Sequence, residues 1–255
     1  MNDTRLVFVL GSGRCGTKAI AKMLTGAPGI EAHHEYCRYA YQREAVLYYM
    51  GYLKQCVLEP IFDRIYGSAA YYSEQHVFLD SSHKLVWAVD VLAEMFPDAR
   101  FVHLVRDGRK VVSSFYYKLQ IHDDRAASIM RQWFEHPGRF PMPSPSEKYW
   151  WPPVEGDRFE RICSYWVTMN ELSRGEMFRL EDLTRFPDEV RRLTDFIGVP
   201  YSDSYWQFLQ MPNHAYVPVN YKLTDEQEAT FQRICGPTME RMGYNNEGTY
   251  DVKYL

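Results

Sequence analysis

The fold is decided by the stretch Leu6-Val7-Phe8-Val9-Leu10-Gly11-Ser12-Gly13-Arg14-Cys15-Gly16-Thr17-Lys18-Ala19-Ile20. An apolar run with β-propensity comes first, three glycines are spaced through the next six residues, and apolar residues then recur at helical spacing. This order predicts a strand, a tight loop and a helix. The helix is expected to end at Gly26 and Pro28.

The glycine-rich loop is suited to binding phosphate. Its glycines allow a sharp turn, so several backbone N–H groups can converge on an anion at the helix N-terminus. Arg14 and Lys18 lie at the start of the predicted helix, where the positive end of the helix dipole disfavours a cation by ~0.3–1 kcal/mol. A bound anion would reverse that effect. An ordinary strand-to-helix turn with glycines for packing alone is the alternative. The expected phosphate-binding residues are Gly11, Gly13, Arg14, Cys15, Gly16, Thr17 and Lys18.

The loop differs from the ATP-binding P-loop, G-x-x-x-x-G-K-[ST], in the order of its last two residues. Thr17 precedes Lys18 here. In the ATP-binding loop the lysine reaches the β- and γ-phosphates, and the hydroxyl that follows it holds Mg²⁺. The exchanged order argues against metal-assisted ATP chemistry. A P-loop kinase acting on a small metabolite remains an alternative, with Leu79-Asp80 as the strand end that could supply a metal-binding aspartate.

Length and composition predict a single α/β domain covering residues 1–255. The net charge of −4 provides no global attraction to nucleic acid or to an acidic membrane. The five cysteines are widely spaced without a C-x-x-C pair, which indicates free thiols in a reducing compartment. No signal peptide is expected before the first strand, and no run of 18 apolar residues could span a bilayer, so a cytoplasmic location is expected.

A second strand–loop–helix is predicted from Phe101-Val102-His103-Leu104-Val105, a nearly continuous apolar run typical of a parallel strand covered on both faces. Arg106-Asp107-Gly108-Arg109-Lys110 follows, with Asp107 as the expected N-cap of the next helix. Three cations again lie at a helix start, which suggests a ligand with anionic groups at two places. The alternative is that Arg109 and Lys110 are solvated and Arg106 is paired with a carboxylate.

The remaining elements are expected to surround this sheet. Gly29–Tyr36 is predicted to be a polar loop, and residues 136–157, which hold six of the 14 prolines, a surface loop or lid. Further strands are predicted at 76–80 and 176–180. Helices are predicted at 38–66 with interruptions near Gly51 and Pro60, at 158–174 and 187–197, and after a capping box at 224–227, the last one bent or broken at Gly236-Pro237.

Together these residues resemble the sulfotransferases that use 3′-phosphoadenosine-5′-phosphosulfate (PAPS). The segment 11–18 looks like that family's 5′-phosphosulfate loop, often written P-[KR]-[ST]-G-T, with Arg14 at the basic position. The segment 101–114 looks like its 3′-phosphate motif, in which an arginine ends a strand and a serine lies eight residues on, here Arg106 and Ser114. Supporting matches, in the family's order, are Phe96-Pro97-Asp98-Ala99-Arg100, Arg179-Leu180-Glu181-Asp182-Leu183 and Met242-Gly243-Tyr244.

The resemblance implies a three-layer P-loop-NTPase-like fold with a central, mostly parallel sheet and no required metal. It implies in-line transfer of a sulfuryl group from PAPS to a hydroxyl or amine of a small-molecule or glycan acceptor, which leaves adenosine 3′,5′-bisphosphate. A non-catalytic nucleotide-binding member of the fold is a further alternative. The region 212–218 lacks the Arg-Lys-Gly that cytosolic members use near the 3′-phosphate, and Lys222 is a weak candidate for that contact.

The resemblance also assigns catalytic roles. Arg14 and Lys18 would stabilise charge on the leaving phosphate. Glu35 lies where glycan- and protein-modifying members carry a catalytic glutamate, and His83 where cytosolic members carry a catalytic histidine. Glu35 is the first choice for the base because its loop should face the sulfate, although a histidine pKa near ~6.5 suits a base at neutral pH. His33, His34, His103 and Asp80 are expected to be structural or to support the site.

Overall fold

The computed structural model describes residues 4–121, 156–211 and 223–244. The chain forms two compact units, one made of residues 1–105 with 172–213 and the other of 106–171 with 214–255. The region 212–218 and Lys222 lie outside the described residues. So does the expected surface loop at 136–157, apart from its last two residues.

The first unit is built on a parallel sheet, which confirms the sheet expected from the sequence. Within the described residues the sheet has five strands in the order β2-β3-β1-β4-β5, and every neighbouring pair is parallel. All five strands therefore end at one edge, where the segments that follow them meet. The strands are β1 (Arg5–Leu10), β2 (Ile30–His34), β3 (Val77–Ser81), β4 (Arg100–Val105) and β5 (Glu176–Arg179).

Strand β2 corrects the expectation that Gly29–Tyr36 is a polar loop. Its residues pair with β3, from Ile30 opposite Val77 to His34 opposite Ser81. It lies at the edge of the sheet, and beyond Ile30 its side chains are only partly buried. An edge strand tolerates polar side chains that a central parallel strand does not. The polarity of this segment therefore reports its edge position.

Helices flank the sheet and follow most of the predicted spans. The predicted interruption near Gly51 is confirmed, because α2 ends before it and α3 begins after it. Pro60, in contrast, lies inside α3, which continues into a π-helical turn at Asp63–Gly67. The helices are α1 (Thr17–Leu24), α2 (Gln42–Tyr49), α3 (Gln55–Phe62), α4 (Ser68–Tyr72), α5 (Val89–Met95), α6 (Gly108–Ile121), α7 (Arg158–Leu172), α8 (Leu180–Arg185), α9 (Pro187–Ile197), α10 (Asp203–Gln210) and α11 (Asp225–Arg241).

The two faces of the sheet carry different side chains. Successive residues of a strand point to opposite faces. On one face Val7 and Val9 join a cluster of buried aliphatic side chains from α1 and α9. On the other face the Phe8 ring lies 4.9 Å from the Tyr66 ring and 5.4 Å from the Phe101 ring. Helices thus cover both faces, which confirms the three-layer α/β fold.

The second unit contains α6, α7 and α11. Asp107 caps α6 as predicted, because its Oδ1 accepts the Arg109 backbone N–H at 2.9 Å. Thr224 and Gln227 form the predicted capping box at the start of α11. The helix was expected to be bent or broken at Gly236-Pro237, and the break is wrong, because α11 continues to Arg241 with Pro237 inside it.

Candidate active site

The loop between β1 and α1 has the backbone conformation that its glycines predict. Gly13, Arg14 and Gly16 are left-handed, with φ of 72°, 56° and 103°. Neighbouring protein atoms also leave no room for a side chain at positions 11 and 16. A Cβ on Gly11 would lie 2.5 Å from the Leu104 carbonyl oxygen, and one on Gly16 would lie 2.9 Å from Leu180 Cδ1. The loop is therefore packed tightly against the end of β4 and the start of α8.

The start of α1 presents positive charge. Arg14 and Lys18 are exposed, whereas Cys15 and Thr17 between them are buried. Within the described residues α1 has no side-chain cap at Gly16 and no acidic residue in its first turn. Helix N-terminal N–H groups that lack a side-chain cap are satisfied by water or by a ligand, and their partial positive charge favours an anion. This terminus is suited to hold phosphate or a phosphosulfate.

The end of β3 joins this loop to the end of β2. Ser81 Oγ donates to the Thr17 carbonyl oxygen at 2.8 Å, and the Ser82 N–H donates to the Val9 carbonyl oxygen at 2.9 Å. On the other side of β3, the Glu35 N–H donates to the Ser81 carbonyl oxygen at 3.2 Å. One edge of the sheet therefore holds the loop between β1 and α1, Glu35 and the residues that follow β3.

The two alternative bases are in direct contact. Glu35 Oε1 lies 3.2 Å from His83 Nδ1, and the other carboxylate oxygen of Glu35 pairs with Arg38 Nη1. Both are shielded from solvent, with side-chain exposures of 8% for Glu35 and 13% for His83. The sequence offered these two residues as rivals, and the structure joins them as a pair.

Burial and neighbouring charges decide the protonation of this pair. Burial alone raises the pKa of Glu35, but the hydrogen bond from His83 and the charges of His83 and Lys84 outweigh it, so its pKa is lowered. Burial and the charge of Lys84 lower the pKa of His83 against the opposing effect of Glu35. At neutral pH the pair is a carboxylate and a neutral imidazole. Because a carboxylate only accepts, Nδ1 of His83 carries the proton and Nε2 is the acceptor.

His34 lies at the end of β2, next to this pair. Its Nδ1 donates to the Ser81 carbonyl oxygen at 2.7 Å. Burial lowers its pKa against the opposing charge of Glu35, and the charges of Lys18 and Arg38 lower it further. At neutral pH His34 is therefore uncharged, and it adds no positive charge beside Glu35 and His83.

Asp80 lies within the sheet and is completely buried. It is paired in register with Phe8 on β1 and His33 on β2. Its Oδ1 accepts the Tyr36 N–H at 3.0 Å, and its Oδ2 accepts the Tyr66 hydroxyl at 2.7 Å. Burial raises its pKa to about 7. Both oxygens are engaged by protein donors, which does not suit the metal-binding role that the kinase alternative requires.

The predicted 3′-phosphate residues belong to the second unit. Arg106 directly follows the last residue of β4, and Ser114 lies on α6, where it is partly buried. Arg109 is an ion-pair partner of its own N-cap residue. Its Nε lies 3.1 Å from Asp107 Oδ1, and its Nη2 lies 2.8 Å from Asp107 Oδ2. The alternative in which Arg109 is merely solvated is therefore wrong.

Sequence reasoning missed two supports of the Glu35–His83 pair. Arg38 contacts Glu35 from three residues along the chain, a spacing that could have indicated the contact. Lys84 is buried beside the pair and acts on both pKa values. A buried lysine directly after a candidate base has no distinguishing pattern in the sequence.

Three further observations concern the chemistry available to the protein. All five cysteines are free thiols, as predicted. In the part of the chain that the structure describes, no three His, Cys, Asp or Glu side chains are grouped to hold a metal ion. Among the same residues, no helix combines the length and apolarity needed to cross a membrane.

Comparison with known proteins identifies the family of the chain. A family model described as "Sulfotransferase family" matches residues 7–138, slightly more than half of the chain. No curated protein sequence matches significantly.

Three solved structures share the fold at low sequence identity. The sulfotransferase domain from the Synechococcus PCC 7002 olefin synthase is 17% identical, with 91% of this chain and 94% of that chain covered and a TM-score of 0.51. The sulfotransferase domain from the curacin biosynthetic pathway is 14% identical, with coverages of 95% and 98% and a TM-score of 0.52. Sulfotransferase STF9 from Mycobacterium avium is 13% identical, with coverages of 98% and 79% and a TM-score of 0.51.

Proposed function

The chain belongs to the sulfotransferase family, and on that premise we propose that it transfers a sulfuryl group from PAPS to a hydroxyl or amine of a small-molecule or glycan acceptor. One observation carries this proposal. The cationic, uncapped start of α1 and the buried Glu35–His83 pair lie at the same edge of one sheet. Sulfuryl transfer from a phosphosulfate needs a site for the phosphate and, close to it, a base for the proton of the acceptor.

The start of α1 would hold the phosphosulfate end of PAPS. PAPS supplies a sulfuryl group activated by a phosphate leaving group. Arg14, Lys18 and the backbone N–H groups of residues 14–18 would stabilise the charge that develops on the leaving phosphate oxygen. Arg106 and Ser114 would hold the 3′-phosphate through charge-assisted hydrogen bonds.

His83 is the better base of the pair. Both Glu35 oxygens already accept hydrogen bonds or an ion pair, and its pKa is lowered, so it has little tendency to take another proton. Neutral His83 presents Nε2 as an acceptor. It would take the proton of the attacking hydroxyl or amine as the new bond to sulfur forms and the bond from sulfur to the phosphate oxygen breaks. Glu35 would orient the imidazole and stabilise its charged form.

The alternatives receive less support. A kinase would need an available aspartate at a strand end, and both oxygens of Asp80 are engaged by Tyr36 and Tyr66. A non-catalytic member has no use for a buried carboxylate–imidazole pair beside its phosphate loop.

Free thiols at all five cysteines support a reducing, cytoplasmic location.

The test combines donor binding with transfer. We expect adenosine 3′,5′-bisphosphate to raise the melting temperature of the protein and Mg·ATP to leave it unchanged. Radiolabelled PAPS would then be screened against phenols, lipids, glycans and amines, with wild type compared with His83→Ala and Glu35→Ala. Stabilisation by Mg·ATP alone, or no transfer to any acceptor, would overturn the proposed function, whereas transfer that is equally fast in His83→Ala would overturn only the role of His83 as the base.

A further inference from the structure

We propose that Asp80 is a positioning residue of this site, which holds the turn after β2 and thereby places Glu35 against His83. This inference rests on the proposed function, because the Glu35–His83 pair is the base in that proposal. Asp80 would not touch either substrate. It would act through the backbone of Tyr36, whose N–H its Oδ1 accepts at 3.0 Å.

The turn that Asp80 contacts has an unfavourable backbone. Glu35 and Cys37 are both left-handed, with φ of 57° and 48°, a conformation that non-glycine residues other than asparagine and aspartate adopt reluctantly. Such a conformation persists only where surrounding groups hold it. The Tyr36 N–H lies between these two residues, so its hydrogen bond to Asp80 restrains the turn at its centre.

The surroundings of Asp80 suggest a function beyond packing. A buried carboxyl group is disfavoured relative to an apolar side chain of similar volume, so packing alone does not explain an aspartate here. Its second oxygen accepts the hydroxyl of Tyr66, which is itself completely buried. Tyr66 lies in the π-helical turn Asp63–Gly67, and such turns are frequent at functional sites.

The groups around Asp80 come from four elements. The Tyr66 hydroxyl comes from the π-helical turn, and the Tyr36 N–H and the Glu35 carboxylate come from the turn after β2. Tyr41 lies directly before α2, and His33 is the residue of β2 that is paired with Asp80. Burial and the charge of Glu35 raise the pKa of Asp80. The carboxylate accepts the Tyr36 N–H more strongly than the neutral acid does.

The experiment compares two uncharged replacements of similar size. Asp80→Asn keeps an oxygen that can accept the Tyr36 N–H, whereas Asp80→Leu does not. We expect Asp80→Asn to keep kcat within about threefold of wild type and Asp80→Leu to lower kcat by roughly tenfold or more, with KM for PAPS unchanged in both. Tyr66→Phe is the matched control, because it removes the hydrogen bond to Oδ2 of Asp80 and leaves the one from the Tyr36 N–H to Oδ1. We expect it to lower the melting temperature and to keep kcat.

A second measurement is independent of activity. The ¹⁵N shifts of the His83 ring report whether Nδ1 carries the proton, as the contact with Glu35 requires. We expect this tautomer in wild type, Asp80→Asn and Tyr66→Phe, and a mixture of tautomers in Asp80→Leu. If no acceptor is ever sulfated, the proposed function fails, and these shifts still decide the role of Asp80.

Three outcomes would overturn the positioning role. One is an unchanged kcat and tautomer in Asp80→Leu, and another is an equal loss of kcat in Asp80→Leu and Tyr66→Phe. Should Asp80→Leu not fold, amide hydrogen exchange in wild type provides the decision. The Tyr36 N–H must then be protected, and exchange at the rate of an exposed amide would refute the proposal.

Discussion

The starts of α1 and α6 look alike in sequence and differ in structure. Both follow an apolar parallel strand and both carry clustered cations. At α1, Arg14 and Lys18 are exposed and, within the described residues, no side chain caps the helix. At α6, Asp107 caps the helix and pairs with Arg109. The comparison teaches that similar clusters of cations at two helix starts can have different surroundings: the first turn of α1 contains no acidic residue, whereas α6 is preceded by an aspartate that caps it and pairs with one of the cations.

Removing a cation at α1 gives the largest expected effect. Lys18→Ala should lower kcat by about 10²–10³, because a positioned donor to the leaving oxygen is lost. Lys22→Ala is the matched control, since Lys22 is an exposed lysine one turn further along the same helix. Steady-state kinetics with PAPS would measure both. Equal rates for the two variants would contradict the assignment of α1 as the phosphate site.

Arg106, which lies between β4 and α6, sharpens the comparison between the two helix starts. Arg106→Ala should weaken binding of adenosine 3′,5′-bisphosphate about 10- to 100-fold, because a charge-assisted hydrogen bond contributes roughly 1.5–3 kcal/mol. Arg109→Ala should leave this affinity nearly unchanged, since Arg109 is paired with Asp107. Isothermal titration calorimetry would separate the two variants. A larger loss in Arg109→Ala would reverse the roles given to these arginines.

The pH dependence tests the pair that lies beside the α1 loop. Burial and the charge of Lys84 lower the pKa of His83 below 6.5, so neutral His83 persists into mildly acidic solution. The value of kcat/KM should stay constant from neutral pH to below pH 6.5 and then fall about tenfold per pH unit as His83 is protonated. A profile of kcat/KM against pH, which reports the pKa values of the free enzyme, would show this limb. A limb centred above pH 6.5 would exclude a buried His83 as the base.

The smallest effect is expected at the α6 cap. Asp107→Ala should lower the free energy of unfolding by about 1 kcal/mol, because the Arg109 N–H loses its acceptor. This corresponds to a fall of about 2–4 °C in melting temperature for a chain of this size. Differential scanning calorimetry would measure it, with Asp107→Asn as the control that keeps a capping oxygen. If the cap contributes to stability alone, kcat will not change.

The sequence predicted what depends on local pattern. Both strand–loop–helix units and the cap at Asp107 follow from periodicity and from residue types that favour helix ends. The same logic failed for β2, because its partner strand begins more than 40 residues along the chain and supplies the pairing that its polar residues did not indicate. It failed at Pro237 because a helix packed into a tertiary core tolerates a local loss that would break an isolated one.

The contacts within the candidate site are long-range and were less accessible. Glu35 and His83 were each identified, yet their contact depends on β2 lying next to β3. The Tyr66–Asp80 hydrogen bond depends on a π-helical turn, which has no recognised sequence signal. The sequence therefore offered both residues as candidates, but the contact between them is set by the tertiary fold and could not be predicted.

The strand order has a consequence for how this protein can diversify. Among the residues that the structure describes, β1, which leads into the α1 loop, has a hydrogen-bonded strand on each side, whereas β2, which leads into Glu35, pairs with β3 alone. Mutations that shift a rim strand disturb fewer neighbours than mutations in the middle of a sheet. The segment that carries Glu35 can therefore be remodelled with fewer changes in strand pairing than the loop that precedes α1.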